Sequence, residues 1–168
     1  MNHTILIPTD FSVQSLNLLK EAMMRTEHKK VRVILVYGIH LTDSITDLLF
    51  FSKSSFIKKL ETKEFKDSCL LMQNRFHSKM ESLCIDIFTG VTQSAFEQYV
   101  EAHKIDEAYI PSHPAYKSKN SRSFDVVPYI LKSKLKATVI NRLDEKEVEW
   151  EKMDELATLF FNTSPSRN

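Results

Sequence analysis

The hydrophobic positions of the chain fall into short runs typical of buried strands and longer stretches with helical spacing. The first short run, residues 4–7, is rich in β-branched and leucine side chains and predicts a buried strand. Pro8 cannot donate to a sheet ladder, and Ser12 is a good N-cap for the amphipathic stretch that follows. The pattern therefore predicts a strand that delivers the Asp10 carboxylate and the Ser12 hydroxyl to the start of a helix.

The same reasoning predicts four further strands, with one helix between each pair of successive strands. Because the first two strands flank a helix, a right-handed crossover and a parallel pair are expected. Five strands alternating with helices predict an α/β domain with three layers around an open, mostly parallel sheet. The later strands are predicted over residues 31–37, 83–89, 106–112 and 137–141, and the helices over residues 12–27, 55–82, 92–104 and 124–134.

Residues 39–55 have no clear period and are predicted to form a loop with a short helix. This stretch carries an apolar patch, which we expect to pack onto the domain or into a homodimer contact. The patch consists of Ile45, Leu48, Leu49, Phe50 and Phe51.

The carboxyl-terminal part adds an acidic segment that such a domain does not require. Residues 143–161 predict an amphipathic helix, and residues 162–168 are expected to be disordered, which leaves residues 1–142 as the α/β domain. Residues 143–168 carry seven acidic side chains against three basic ones, whereas residues 113–142 carry seven basic ones against Asp125. The acidic segment could cover the basic loop, which otherwise is solvated or binds an anion through its side chains.

Composition limits the possible functions. Gly38 and Gly90 are the two glycines in the sequence, which excludes a phosphate loop built from several glycines. A net charge of +1 gives no general attraction to nucleic acid, and no long apolar span or signal peptide is present, so a cytoplasmic protein without a membrane partner is expected.

Residues 1–142 resemble the universal stress protein family. The resemblance lies in ILIPTDFS before an amphipathic helix, in the strand VRVILVYG, and in the segment from IDEAYIPSH to LKATVIN. It implies a five-stranded parallel sheet in the order 3-2-1-4-5, frequent homodimerisation and, in one branch of the family, a bound ATP.

In that branch a loop of the form Gly-x-x-Gly, followed by Gly-Ser or Gly-Thr, wraps the phosphates after the fourth strand. Here the first two glycine positions match Pro111 and Pro114, and the last pair falls near Phe124 and Asp125. Proline has no N–H to donate, phenylalanine brings a ring, and aspartate repels a phosphate. The resemblance therefore predicts that the phosphate site is lost, while Asp10 matches the carboxylate that family members keep near the nucleoside.

The expected function is that of a non-catalytic, stress-associated regulatory or interaction protein, homodimeric, with an unidentified protein partner and no cofactor, ATP being disfavoured. The alternative is a sensor of a nucleotide or another small molecule at the carboxyl edge of the first and fourth strands. The residues expected to contact such a ligand are Asp10, Ser12, Val36, Ser112, His113, Lys119 and Arg122.

Enzymatic functions find less support in the sequence. Gly-x-Ser-x-Gly and Walker motifs are missing, a receiver domain would need an acidic pair after the first strand, and a weak hydrolase lacks an evident nucleophile and base. A zinc or manganese site from Asp10, His40 and His113 matches no known spacing, so no metal is expected. The remaining histidines, His3, His28, His77 and His103, are expected on the surface.

Overall fold

Six strands form one sheet in the computed structural model, which describes residues 2–113 and 120–141. The strand order is β3-β2-β1-β4-β6 with parallel neighbours, and the short β5 pairs antiparallel with the end of β2. The predicted order of the five main strands is thus confirmed, with β5 as an addition. The strands are β1 His3–Pro8, β2 Val31–Ile39, β3 Met80–Phe88, β4 Glu107–Pro111, β5 Ser123–Phe124 and β6 Lys136–Ile140.

Helices cover both faces of this sheet, as predicted for a three-layer domain. The first of them follows a 3₁₀ turn at Val13–Ser15. The helices described are α1 Leu16–Arg25, α2 Ile45–Leu49, α3 Lys53–Leu60, α4 Lys63–Arg75, α5 Gln93–His103 and α6 Val127–Lys132.

Alternation along the central strands divides the core into two clusters. Ile5 and Ile7 of β1 pack on the side of α1 and α4, where Phe65 is fully buried. Leu6 points to the other face and packs in one cluster with Phe96 of α5 and Ile130 of α6. Because β1 and β2 are covered on both faces, nearly all of their positions are apolar, which explains why both strands are legible in the sequence.

The long helix predicted over residues 55–82 is two helices followed by a strand, so this prediction is wrong in its extent. The backbone is extended at Glu61 and Thr62, and the Thr62 hydroxyl accepts a hydrogen bond from Phe65 N at 3.1 Å. A threonine side chain that caps a new helix competes with continuation of the previous one. β3 then starts at Met80, and it lies at the sheet edge as its alternating pattern predicted.

The helix predicted over residues 124–134 is shorter, because Phe124 belongs to β5. The last residue of β2 that pairs with β1 is Val36, which lies opposite Pro8. β2 continues to Ile39, so on this side its final residues can pair with another strand. β5 takes that place by pairing Phe124 with Gly38. Pro128 lies in the first turn of α6, as predicted.

The apolar patch on α2 does not pack onto the part of the domain that the structure describes. Ile45, Leu49 and Phe50 are 75%, 76% and 82% exposed, and Leu48 is also exposed. The expectation that the patch packs onto the domain is therefore wrong for these residues, and the homodimer contact stays a prediction.

Several predictions fall outside the described residues. These are the acidic helix over residues 143–161, the tail over residues 162–168 and the part of the basic loop that contains Lys119. Among the helices that are described, none is both long enough and apolar enough to cross a membrane.

Candidate functional site

The turn after β1 carries the two residues on which the sequence prediction is centred. Asp10 Oδ1 accepts hydrogen bonds from Ser12 N at 2.9 Å and from the Ser12 hydroxyl. Ser12 Oγ in turn accepts a hydrogen bond from Ser15 N at 3.2 Å and caps the 3₁₀ turn. The carboxylate and the hydroxyl are therefore held in one local network at the carboxyl edge of the sheet.

Phe11 fixes the shape of this turn. Its φ is 61°, a left-handed conformation that a residue with a Cβ adopts at a cost of roughly 1–2 kcal/mol. The ring is buried, with its centroid 5.2 Å from that of Tyr37 and 5.3 Å from that of Phe65. Burial of the ring offsets the backbone strain, and the turn thereby holds Asp10 in one orientation.

Val36 serves the structure of the same turn. Its side chain is fully buried, and its carbonyl oxygen accepts a hydrogen bond from Thr9 N at 2.9 Å. Thr9 Oγ1 also accepts a hydrogen bond from Phe11 N at 3.2 Å. The carbonyl of Val36 thus ties the turn to β2.

The end of β4 places Ser112 and His113 at the same edge of the sheet. Ser112 N donates to Ile140 O at 2.9 Å, and Ser112 Oγ lies 3.0 Å from His113 Nδ1 in an exposed hydrogen bond. Pro111, the last residue of β4, has no N–H. The amide hydrogen of Ser112 is therefore directed into the sheet.

β5 brings an aromatic side chain over the end of β2. The ring centroid of Phe124 lies 4.5 Å from that of His40, 5.8 Å from that of Tyr129 and 6.0 Å from that of Phe88. A Cβ built on Gly38 would lie 2.8 Å from Phe124 Cε2, so the ring rests directly on the glycine. Phe124 is therefore part of an aromatic cluster at the carboxyl edge.

The residues on either side of Phe124 complete this segment. The side chain of Arg122 is exposed, its carbonyl accepts a hydrogen bond from His40 N at 2.8 Å, and its N–H donates to Asn120 Oδ1 at 3.0 Å. Asp125 Oδ1 accepts a hydrogen bond from Val127 N at 2.9 Å, at the beginning of α6. The Asp125 carboxylate thus already accepts the hydrogen bond of a backbone N–H at the start of this helix.

The predicted ligand residues are placed at the ends of three neighbouring strands. Asp10 and Ser12 follow β1, Ser112 and His113 follow β4, and Arg122 precedes β5, which pairs with the end of β2. These five residues therefore lie at the carboxyl edge of the sheet, because the parallel strands that they follow or adjoin all end there.

The histidines are arranged differently from the expectation. In the described ranges, the group whose possible ligand atoms come together is His3, His28 and Glu107, not Asp10, His40 and His113. The expectation that His3 lies on the surface is wrong, because 18% of its side chain is exposed and Glu107 and His28 cover it. No sequence signal could have found this group, since its members come from three separate segments.

No protein-family model and no curated protein matches the sequence, so the comparison depends on structure. The universal stress protein UspA from Lactobacillus plantarum superposes with a TM-score of 0.52 at 18% identity, over 82% of this chain and 97% of that one. A protein of the universal stress protein family from Burkholderia pseudomallei superposes with a TM-score of 0.50 at 13% identity, over 82% and 94% of the two chains. The chain therefore has the fold of the universal stress proteins, as the resemblance of its sequence predicts.

Proposed function

We propose that this protein is a non-catalytic, homodimeric regulatory or interaction protein of the universal stress protein family, in which the site for nucleotide phosphates has been lost. The observation that carries the proposal is the position of Phe124. Its ring lies on Gly38 and within the aromatic cluster of Phe88 and Tyr129, in the segment where ATP-binding relatives have their last glycine pair.

The hydrogen-bond donors of this edge support the same proposal. A phosphate loop needs several backbone N–H groups directed at the ligand. Ser112 N donates instead to Ile140 O, Val127 N donates to Asp125 Oδ1, and Pro111 has no donor. A phosphate that bound these two amides would have to displace internal hydrogen bonds and approach the Asp125 carboxylate.

The Cys69 thiol of α4 is not available as a nucleophile near neutral pH. Burial raises the pKa of the Cys69 thiol to about 12, and the Glu61 carboxylate adds to the shift. The thiolate is the nucleophilic form of cysteine, so a thiol with this pKa is inert near neutral pH.

The exposed apolar patch on α2 supports an interaction role. Ile45 and Leu49 lie on the five-residue helix α2, Phe50 follows it directly, and each of the three is at least 75% exposed. Grouped exposed apolar side chains are typical of protein contacts. We assign the patch to the contact between two copies of this chain.

A sensor of nucleosides or nucleotides is the second candidate, and the geometry of Asp10 favours it. The hydrogen bonds from Ser12 hold the carboxylate in a defined orientation at the carboxyl edge, where open α/β sheets bind ligands. Lys119 and Arg122 would then replace the glycines as partners of a phosphate.

Calorimetric titration with ATP, AMP and a cyclic dinucleotide separates the two candidates. Under the first proposal none of the three gives saturable binding to the full chain. Saturable binding that Asp10→Ala abolishes, and that the control Asp67→Ala on the exposed side of α4 retains, would overturn it in favour of a sensor.

A further inference from the structure

Two imidazoles and a buried carboxylate meet at the amino edge of the sheet, opposite the edge described above. We propose that His3, His28 and Glu107 form a binding site for a divalent transition metal of the Zn²⁺ class. One possible ligand atom from each residue lies within 4.8 Å of the other two. This assignment is independent of the proposed function.

The three residues are held by the backbone of the fold. His3 begins β1 and its N–H donates to Lys30 O at 3.2 Å, which fixes it beside the turn that carries His28. Glu107 begins β4, opposite Ile5 of β1. A site placed on strand ends and a short turn varies less in geometry than one placed on a long loop.

His3 and Glu107 lie close enough to bind the same ion. His3 Nε2 lies 3.0 Å from Glu107 Oε1, yet the orientation is not that of a hydrogen bond, and Nε2 is buried without another hydrogen-bond partner in the described part of the chain. Ligand atoms on a tetrahedral Zn²⁺ lie about 3.3 Å apart, with their lone pairs aimed at the metal. The distance is therefore compatible with both atoms binding one ion.

A second carboxylate faces the other ring nitrogen of His3. Asp106 Oδ2 lies 3.7 Å from His3 Nδ1, on the side of the ring away from Glu107, and is itself held by Thr4 N at 2.7 Å. In metal sites the second ring nitrogen of a ligating histidine commonly faces a carboxylate or a carbonyl, and Asp106 lies in that position here.

A second group orients Glu107. The Tyr109 hydroxyl donates a hydrogen bond to Glu107 Oε1 at 3.4 Å. Glu107 itself is 7% exposed, so water compensates its charge poorly and a cation would compensate it well.

The ligand types select the class of metal. Imidazole nitrogen suits zinc, copper, nickel and iron, whereas Ca²⁺ and Mg²⁺ prefer shells made of oxygen. The rings of His3 and His28 are stacked with centroids 3.6 Å apart, and the exposed ring of His28 must turn out of this stack for both lone pairs to reach one ion. Three protein ligands with one exposed side leave a position for water.

Titration of the full chain, first stripped with chelator, tests the proposal. We expect one Zn²⁺ per chain in competition with a chromophoric chelator, and a rise in Tm on adding Zn²⁺. Co²⁺ should give the visible absorption of a four-coordinate nitrogen and oxygen site. His28→Ala changes an exposed side chain and should fold normally, while weakening Zn²⁺ binding about tenfold or more.

Glu107→Gln should weaken Zn²⁺ binding in the same way, and His77→Ala, at an exposed histidine beyond α4, should leave it unchanged. The proposal is overturned if the chain binds no Zn²⁺, or if His28→Ala binds it as tightly as the unchanged chain does. It is equally overturned if the Co²⁺ complex shows thiolate charge transfer, because the metal would then lie on a cysteine.

Discussion

The ring of Phe124 rests on Gly38, so closely that a Cβ on the glycine would lie 2.6 Å from Phe124 O and 2.8 Å from Phe124 Cε2. The contact joins β5 to the end of β2 and closes the carboxyl edge of the sheet there. The absence of a side chain at Gly38 is therefore a requirement of packing at this edge.

Gly38→Ala is expected to lower the free energy of unfolding by about 1–3 kcal/mol, because the added methyl group overlaps both the ring and the carbonyl of Phe124. Urea denaturation measures the change. In a Phe124→Ala background the same substitution should cost less, since the ring contact is gone while the carbonyl contact stays. An equal cost in both backgrounds would mean that the ring does not determine the requirement for glycine.

At Phe11 the stabilities of the alanine and glycine variants should fall in the reverse of their usual order. Phe11→Ala removes a buried ring and is expected to cost about 3–5 kcal/mol. Phe11→Gly should be at least as stable as Phe11→Ala in urea denaturation, because glycine adopts the positive φ without strain.

Leu19, buried in α1, provides the matched control for this ranking. There Leu19→Gly should be less stable than Leu19→Ala by about 1 kcal/mol, the ordinary helical order. If the order at Phe11 equals the order at Leu19, the turn adopts another conformation in solution.

Lys20 predicts a pH dependence of stability. Its side chain lies in α1 and is buried, and burial, with the nearby Arg75, lowers its pKa from the ordinary 10.5. The unfolded chain then binds more protons than the folded chain in the window below pH 10.5, so the free energy of unfolding rises with pH there.

Comparison with Lys20→Met isolates this effect from other groups that titrate. The free energy of unfolding of the unchanged chain should rise relative to that of Lys20→Met as the pH approaches 10.5. The same comparison with Lys58→Met, at an exposed position of α3, should give a difference independent of pH. A flat difference for Lys20→Met would show that its pKa is the same in both states.

The apolar patch on α2 predicts how the chain associates. Light scattering after gel filtration should give the mass of a dimer for the full chain and the mass of a monomer for Phe50→Glu, because a charge cannot be buried in an apolar contact without a partner. Leu131→Glu, at a position of α6 that is 60% exposed, serves as the control and should remain dimeric.

Removal of residues 143–168 tests the other possible occupant of the patch. If the dimer survives the truncation and is lost in Phe50→Glu, the second copy is the partner. A full chain that is monomeric, or a dimer that Phe50→Glu leaves intact, would contradict the assignment.

The sequence alone determined the main strands and most helices, together with their layers. The reason is local: strands buried on both faces must be nearly all apolar, as in residues 4–7, and a proline such as Pro128 fits the first turn of a helix. The family resemblance added the strand order, and the turn with Asp10 and Ser12 followed from the end of the first strand.

Tertiary structure decided the features that depend on separate segments meeting. β5 forms because β2 extends beyond β1 and leaves an open edge, which no pattern around Phe124 reveals. His3, His28 and Glu107 come together because β1, the turn before β2 and the start of β4 are neighbours in the sheet. A pairing between segments this far apart carries no local period, so only the folded sheet brings the candidate metal ligands together.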